Sequence, residues 1–313
     1  MATIYKILVN ESHHIQFHHS SVVTKSQLSK DQTLSNISVK MSVYVVTGVS
    51  RGIGFEFMKQ LSEDPNNLFV GLVRNKEETE KKVAAELGGN RTNIHIISAD
   101  LASHASLKQA AIETERVVGD RGIDYLVANG AYLTEFDAYG PLSSLSDKVE
   151  ELEKVALQVT QTNIIGTVHL FNLFVPLVLK GKTKKVIHIS SGMADIELID
   201  KFELVFSTLY SAGKAATNVV VAKYSAQYKK DGVLFFSLSP GVVNTAVPKQ
   251  RTPEETKALM ELISKVAAYA PEWKGPITPE ESVTKMRTVL EQASIEGNYG
   301  GSFISHHGNK QWV

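Results

Sequence analysis

Seven short apolar runs alternate with segments long enough for helices, and this alternation limits the possible folds more than any other feature of the chain. The runs are rich in β-branched and aromatic residues, which favour strands. They cover residues 43–46, 68–73, 94–97, 125–128, 186–189, 233–238 and 302–304. Strands that alternate with helices form a parallel sheet covered by helices on both faces. The sequence therefore predicts one doubly wound α/β domain with about seven parallel strands.

Helices are predicted between these strands, at about 77–87, 106–118, 149–179 and 211–229. Two further helix starts follow the sixth strand. At Thr252 and at Thr278, a threonine N-cap precedes a proline at the first helical position and a glutamate that closes a capping box. These motifs predict helices at about 253–268 and 279–293.

Residues 1–40 differ from the rest of the chain in composition. They are rich in serine, lack glycine, proline and arginine, and contain four histidines, His13, His14, His18 and His19. A metal-binding tract and a transit peptide are both poorly supported, because histidine-rich composition is a loose signal and transit peptides are rich in arginine. We expect a flexible extension, or a start codon placed too early with Met41 as the working start. The folded domain is predicted to occupy residues 41–313.

The charge balance and the absence of cysteine exclude several classes of protein. Lys plus Arg and Asp plus Glu both number 33, so no net positive field favours nucleic acid or an anionic membrane. Without cysteine there is no disulfide framework, thiolate metal site or cysteine nucleophile. The most apolar stretch, residues 170–179, is far shorter than the roughly 20 residues of a membrane span. No secretory pattern opens the chain, so we expect a cytoplasmic protein without a metal, nucleic-acid or membrane partner.

A glycine-rich turn joins the first predicted strand to the first helical pattern. Glycines at this place let the backbone approach a pyrophosphate, which is held at the positive N-terminus of the following helix. The strand before the turn and the helix after it supply the context that the motif requires. The alternative is an ordinary tight turn. We expect dinucleotide contacts from Thr47, Gly48, Ser50, Arg51, Gly52, Ile53 and Gly54.

The residue that follows the second strand indicates the type of dinucleotide. NAD sites place an acidic residue on the ribose 2′-hydroxyl about 20 residues after the last glycine. Here that position is Arg74, and residues 68–76 contain no acid. Arg74 and Arg51 can both reach a 2′-phosphate through charge-assisted hydrogen bonds. The pair predicts NADP(H), whereas either arginine alone has the alternative of a solvated surface charge.

Tyr210 and Lys214 lie four residues apart in a helical segment, and this spacing places both side chains on one helix face. A phenol with a pKa of about 10 is a reluctant acid at neutral pH. A neighbouring ammonium group is predicted to lower that pKa toward the working range. The pair suits carbonyl reduction, in which hydride goes to carbon and a proton goes to oxygen. The alternative is a surface pair, because the spacing is common by chance.

Several motifs in register resemble the short-chain dehydrogenase/reductase family over residues 42–313. They are the glycine-rich turn, Asp100-Leu101, the turn that contains Asn129, the Tyr210/Lys214 pair, and Pro240-Gly241-Val242-Val243-Asn244-Thr245. The resemblance implies a Rossmann fold. It also implies that Asp100 contacts the adenine, that Asn129 lies in a cofactor-lining turn, and that the Val243 backbone and the Thr245 hydroxyl hold the nicotinamide amide and the pyrophosphate.

The same resemblance implies roles for the catalytic residues. Ser191, the second serine after the fifth strand, is expected to donate a hydrogen bond to the substrate oxygen, and Tyr210 to donate the proton. Tyr210 and Lys214 are also expected to bind the cofactor. Asn163 is expected to link Lys214 to a water-borne proton relay; its alternative is a polar residue tolerated in a helix. Ser191 and Tyr210 are 19 positions apart, several more than the family usually has, so residues 194–208 are expected to alter the pocket wall. The pattern resembles fungal reductases that include norsolorinic-acid ketoreductase-like members.

Together these features predict an NADP(H)-dependent ketone or aldehyde reductase, or an alcohol dehydrogenase, that acts on an apolar small-molecule carbonyl in secondary, polyketide-type metabolism. Two alternatives are a catalytically silent dinucleotide-binding sensor or scaffold and a general carbonyl detoxification reductase. Too few residues follow Thr245 for the substrate domain of a sugar epimerase. We also expect a homo-oligomer, either a dimer or a tetramer.

The substrate pocket is predicted to be walled by residues 194–208 and 246–275, which follow catalytic or cofactor-binding strand ends. These segments offer apolar and aromatic surface suited to a bulky ketone. For Leu259 and Met260 the alternative is packing of their own helix onto the core. The predicted wall residues are Phe202, Phe206, Leu259, Met260, Tyr269 and Trp273.

Overall fold

The computed structural model of the chain describes residues 41–89, 91–245 and 251–313. The predicted N-terminal extension and its histidine tract lie outside the described residues, as do residues 246–250 of the predicted pocket wall.

The described residues form a seven-stranded sheet in which every neighbouring pair of strands is parallel. The strands are β1 (Val43–Thr47), β2 (Leu68–Val73), β3 (Ile94–Ser98), β4 (Tyr125–Ala128), β5 (Lys185–Ile189), β6 (Leu234–Ser239) and β7 (Phe303–Ser305). Their order across the sheet is β3-β2-β1-β4-β5-β6-β7. The predicted doubly wound Rossmann sheet is confirmed.

Nine α-helices cover this sheet in the described part of the chain. They are α1 (Gly52–Leu61), α2 (Lys76–Leu87), α3 (His104–Val118), α4 (Val149–Val159), α5 (Gly166–Lys180), α6 (Ile196–Lys201), α7 (Thr208–Tyr228), α8 (Pro253–Tyr269) and α9 (Pro279–Gln292). Both predicted capping boxes are present, at Thr252 and Thr278. The short helix α6 has no counterpart in the sequence-based prediction.

The core consists of two clusters, one on each face of the sheet. Alternate strand residues such as Val45 and Val46 enter different clusters because successive side chains of a strand point to opposite faces. One cluster contains apolar residues of α3, α5 and α7, and the other contains those of α1 and α9. Helices therefore lie on both faces, as predicted.

The helix predicted at about 149–179 is continuous but not regular. A π-helical segment, Thr160–Ile165, separates α4 from α5 and contains Asn163. Such segments are rare and occur frequently at functional sites. The periodicity of the sequence located the helix, but it gave no sign of the extra residue in this turn.

The combined helix Val149–Lys180 is long and apolar enough to cross a membrane by length and composition alone. Its apolar residues Leu170, Phe171 and Phe174 are each 0% exposed in the core. A buried core helix passes the same length and composition test, and the packing is that of a core helix.

The strand order reverses between β1 and β4, since β2 and β3 lie on one side of β1 and β5, β6 and β7 lie on the other side of β4. In open α/β sheets, ligands bind outside the carboxyl ends of the strands at such a reversal. Most of the predicted site residues lie at or just after the carboxyl ends of these strands, so the fold brings them to one edge.

Candidate active site

The glycine-rich turn between β1 and α1 is built so that only glycine fits at its key positions. Gly48 and Gly52 have φ values of +72° and +58°, which residues with side chains rarely adopt. A Cβ on Gly54 would collide with the carbonyl oxygen of Gly48 and lie 2.6 Å from Nδ2 of Asn129. The N-cap residue of α1, Arg51, makes no side-chain capping bond. The first N–H groups of α1 therefore lack a side-chain cap and suit an anion.

Thr47 and Asn129 fasten the ends of β1 and β4 to each other. The hydroxyl of the buried Thr47 accepts hydrogen bonds from the backbone N–H groups of Asn129 and Gly130, at 3.0 and 2.8 Å. The side-chain amide of Asn129 donates to the carbonyl oxygens of Thr47 and Gly48, at 2.9 and 3.2 Å. These bonds fix the shape of the glycine-rich turn.

Three cationic side chains belong to elements at this end of the sheet. Arg51 and Arg74 are exposed, at the start of α1 and directly after β2. Lys82 on α2 was not predicted from the sequence; its ammonium group donates to the carbonyl oxygen of Ser50 at 3.2 Å and lies 4.3 Å from the centre of the Phe55 ring. Cations beside a phosphate-binding turn suit a dinucleotide that carries an additional phosphate.

The remaining predicted cofactor residues follow β3 and β6. Asp100 directs Oδ1 to the backbone N–H of Ala102 at 2.9 Å, which shapes the turn after β3. Val243 forms an isolated parallel bridge with Ile277. A Cβ on Gly52 would lie 3.3 Å from Cγ2 of Thr245, so Thr245 lies directly beside the glycine-rich turn. The residues present thus fit a dinucleotide laid across the carboxyl edge of the sheet.

The catalytic candidates come from β5 and α7. Ser191 follows β5, while Tyr210 and Lys214 lie one turn apart on α7. Tyr210 forms a side-chain hydrogen bond with Ser191. Lys214 is 3% exposed; its ammonium group donates to the carbonyl oxygen of Ile189 at 2.5 Å and lies 5.8 Å from the centre of the Tyr210 ring. The fold therefore brings the three predicted side chains together.

The predicted lowering of the tyrosine pKa by its lysine neighbour is wrong for this arrangement. Burial raises the pKa of Tyr210 to about 12, and the hydrogen bond from Ser191 only partly offsets this. Burial also lowers the pKa of Lys214 to about 7, so the lysine carries only part of a charge at neutral pH. Desolvation by burial is the largest cause of both shifts.

Lys214 gives a pH-dependent stability that can be measured. Its pKa in the folded chain is about 7, and in an unfolded chain it is about 10.4. Between these values the unfolded state binds the additional proton, so raising the pH stabilises the fold. We expect the free energy of unfolding, relative to Lys214→Met, to rise by about 1.4 kcal/mol per pH unit between pH about 7.5 and about 9.5. Urea unfolding of both proteins across this range measures it, and a difference independent of pH would contradict it.

Asn163 is buried in the π-helical segment, and both polar atoms of its side chain form hydrogen bonds. Oδ1 accepts from the backbone N–H of Tyr132 at 2.7 Å, and Nδ2 donates to the carbonyl oxygen of Tyr132 at 2.9 Å. Its own carbonyl oxygen accepts from the hydroxyls of Thr167 and Thr217, at 2.7 and 3.2 Å. Asn163 therefore holds the loop after β4 against α7, and its predicted link to Lys214 remains a prediction.

Asp137 is a positioning residue that the sequence analysis missed. It is 2% exposed in the loop after β4, and Oδ2 accepts from the backbone N–H of Leu209 at 2.6 Å. Its carbonyl oxygen accepts from the N–H of Ser207 at 2.8 Å. Asp137 thus caps α7 one residue before Tyr210, from a position about 70 residues earlier in the chain. No local sequence pattern reveals a cap of this kind.

An apolar cleft, open to solvent, begins at Ser191. Phe202 and Tyr269 line it as predicted, together with Met193, Leu198, Val266 and Trp312. Phe206 does not line it, and its side chain is buried. Leu259 and Met260 are also absent from the lining, and Trp273 lies in a neighbouring hollow next to His306. The predicted wall is therefore correct for two of its six residues.

No group of three or more potential metal ligands of the His, Cys, Asp and Glu types occurs among the residues that the structure describes.

Comparisons with known proteins agree with this fold. The family model for short chain dehydrogenases matches residues 42–256, and the chain belongs to this family of oxidoreductases. It is 58% identical over 273 residues to the short-chain dehydrogenase/reductase iacC of Pestalotiopsis fici, and 50% identical to the short chain dehydrogenase virK of Hypocrea virens. Each alignment covers 87% of this chain and 100% of the relative.

Solved structures share the fold. An NADPH-bound carbonyl reductase from chicken fatty liver superimposes with a TM-score of 0.68 at 21% sequence identity, over 87% of this chain and 98% of that one. The carbonyl reductase Sniffer of D. melanogaster gives a TM-score of 0.67 at 20% identity, over 86% of this chain and 98% of that one. The short-chain dehydrogenase fold implies a nicotinamide dinucleotide cofactor and a small-molecule substrate.

Proposed function

We propose that this protein is an NADP(H)-dependent reductase of apolar ketones or aldehydes, with Tyr210 as the proton donor. The observation that carries the proposal is the position of Ser191, hydrogen-bonded to Tyr210 and at the mouth of an apolar cleft. A carbonyl oxygen placed between these two hydroxyls would have a hydrogen-bond donor and a proton donor within reach.

Bound NADPH would supply a hydride to the carbonyl carbon. As negative charge develops on the carbonyl oxygen, Ser191 stabilises it by a hydrogen bond and Tyr210 transfers its phenolic proton to it. A phenol whose pKa is about 12 is still far more acidic than the alcohol product, so the transfer is downhill. Lys214 remains close to the tyrosine ring, where its ammonium form stabilises the phenolate left behind.

The NADP(H) form of the cofactor is supported by Arg51, Arg74 and Lys82, which flank the glycine-rich turn. A carboxylate for the ribose 2′-hydroxyl is missing from residues 68–76. The nicotinamide end would then lie toward Val243, Ser191 and Tyr210.

The apolar lining of the cleft supports a bulky, aromatic or polyketide-like substrate more than a small charged acid. Resemblance to fungal ketoreductases supports a place in secondary metabolism. We further propose that the protein is cytoplasmic and that it forms a homo-oligomer, as expected from its sequence.

A test of the function is NADPH oxidation, followed by absorbance, with a panel of ketones that differ in size and charge. We expect turnover with apolar aromatic ketones and weak or no turnover with short carboxylated ketones. Absence of turnover with every ketone, together with measurable NADPH binding, would instead favour a dinucleotide-binding sensor.

We also propose that residues 41–313 are sufficient for folding and activity. The relatives are covered over their full length by 273 residues of this chain. A shortened chain that begins at Met41 is expected to match the full chain in thermal midpoint and in kcat/KM, since residues 1–40 show no periodic apolar face. Insolubility, or a midpoint lower by more than about 5 °C, would show that the extension contributes to the fold.

A further inference from the structure

Trp312, in the C-terminal segment, is fixed by a ring contact and two hydrogen bonds. Its ring stacks on Phe303 with a centroid distance of 4.3 Å, and only 3% of the residue is exposed. The indole Nε1–H donates to Oδ2 of Asp195 at 2.8 Å. Its backbone N–H donates to the hydroxyl oxygen of Tyr269 at 3.0 Å. The side chain of Trp312 therefore connects β7 with the segment after Ser191, and its backbone N–H adds the end of α8.

The turn directly after Ser191 is shaped around this tryptophan. A Cβ on Gly192 would lie 2.8 Å from Cβ and 3.1 Å from Cγ of Trp312, so only glycine permits the contact. Asp195 ends the same turn, and its other oxygen, Oδ1, accepts from the backbone N–H groups of Glu197 and Leu198 at 3.0 and 3.4 Å. Asp195 therefore caps α6 and binds Trp312 at the same time.

Tyr269 extends the connection to the aromatic wall of the cleft. Its hydroxyl donates to the carbonyl oxygen of Lys310 at 3.2 Å. Its ring meets the ring of Phe202 edge-to-face, with centroids 5.2 Å apart and planes at 84°. Phe202, Tyr269 and Trp312 all line the cleft that begins at Ser191. The spacing of α6 and α8 across the cleft is thus set by contacts that meet at Trp312.

We propose that Asp195, Tyr269 and Trp312, here called the C-terminal clasp, fix the width of the cleft and so determine selectivity for bulky, flat carbonyl compounds. This inference rests on the reductase function proposed above. Trp312 acts as a positioning residue: it holds the turn after Ser191 on one side and Tyr269 on the other. A large ring system needs both walls at a fixed separation, whereas a small ketone contacts few of their atoms.

Asp195→Asn removes one bond of the clasp with little other change. If the amide oxygen keeps the cap of α6, the amide N–H₂ faces the indole N–H and two donors oppose each other. If the amide turns round, the cap of α6 is lost instead. Trp312→Phe removes the same bond from the other side and keeps an aromatic ring next to Phe303, so it provides a second test if the first variant does not fold. Asp200→Asn is the matched control, because the exposed Asp200 lies on α6 and its substitution makes the same chemical change.

The measurement compares kcat/KM for 2-acetylnaphthalene with that for 2-butanone at saturating NADPH, with the thermal midpoint of each variant recorded. We expect Asp195→Asn and Trp312→Phe each to reduce the ratio by about tenfold, mainly through KM for the larger ketone. The double variant is expected to lose no more than either single variant, since both remove the same bond. Asp200→Asn is expected to leave the ratio unchanged.

Two results would overturn this inference and leave the proposed function intact. One is an unchanged ratio of kcat/KM values in both variants. The other is an equal loss of kcat/KM for both ketones together with a lower thermal midpoint, which is the result expected if the clasp only stabilises the fold. If the unaltered protein oxidises NADPH with neither ketone, the proposed function fails and this inference fails with it. The activity of the unaltered protein with the two ketones therefore distinguishes failure of the inference from failure of the proposed function.

Discussion

Replacement of Tyr210 by phenylalanine is expected to lower kcat by about 10²-fold to 10⁴-fold, the usual contribution of a positioned general acid. The substitution removes only the phenolic hydroxyl and keeps the ring that lies 5.8 Å from the Lys214 ammonium group. Ser191 would still bind the carbonyl oxygen, but no group in hydrogen-bond reach of that oxygen would deliver the proton. Stopped-flow or steady-state NADPH oxidation measures the loss.

The dissociation constant of NADPH, measured by fluorescence titration, is expected to change by less than about twofold in this variant, because the hydroxyl contributes to turnover more than to binding. Tyr228→Phe is the matched control: Tyr228 lies at the far end of the same helix, next to Phe235, and away from Ser191. If Tyr210→Phe kept more than a few per cent of the original kcat, Tyr210 would not be the proton donor.

The sheet was predictable from the sequence because its signals are local. An apolar run of three to six residues is enough to locate a strand, and each predicted run lies within one residue of the strand found, for example 233–238 against Leu234–Ser239. Helix starts at Thr252 and Thr278 were equally local, since each capping box lies within four residues. Parallel strands then bring their carboxyl ends to one edge, which is why the spacing of motifs along the chain predicts a common site.

The features that were missed depend on pairs of residues distant in sequence. The cap that Asp137 provides for α7 and the bond between Trp312 and Asp195 join positions 72 and 117 residues apart. Periodicity carries no information on such pairs. The error over Phe206 has a related cause: an aromatic residue near a catalytic segment has the same sequence pattern whether it lines a cleft or packs away from it, and here Phe206 is buried away from the cleft.

The pKa of Tyr210 shows a different limit. The four-residue spacing correctly placed Lys214 beside the tyrosine, and from spacing alone the ammonium charge is the only visible influence on the phenol. Burial, which raises the tyrosine pKa and lowers that of the lysine, comes from the sheet and the helices packed around both groups. The geometry of the pair was thus predictable, whereas its electrostatics required the fold.

Wild-type protein is expected to prefer NADPH over NADH by about tenfold to hundredfold in kcat/KM, and Arg74→Asp is expected to reverse this preference. A charge-assisted hydrogen bond to the 2′-phosphate contributes about 1.5 to 3 kcal/mol, which corresponds to roughly that ratio. Arg74 is exposed directly after β2, where NAD-binding sites place an acid that binds the ribose 2′-hydroxyl. The aspartate would repel the 2′-phosphate and accept a hydrogen bond from a free 2′-hydroxyl, so both effects shift the ratio in the same direction.

Lys81→Asp separates this local contact from a general change of field. It alters the net charge by the same two units on the neighbouring helix α2, where Lys81 pairs with Glu77 at 2.8 Å. Because exposed charges are screened within about 10 Å at moderate salt, the control is expected to change the cofactor ratio by less than about twofold. Comparable shifts in both variants would assign the preference to the field of the whole edge, and equal kcat/KM for the two cofactors in the wild type would contradict the NADP(H) assignment itself.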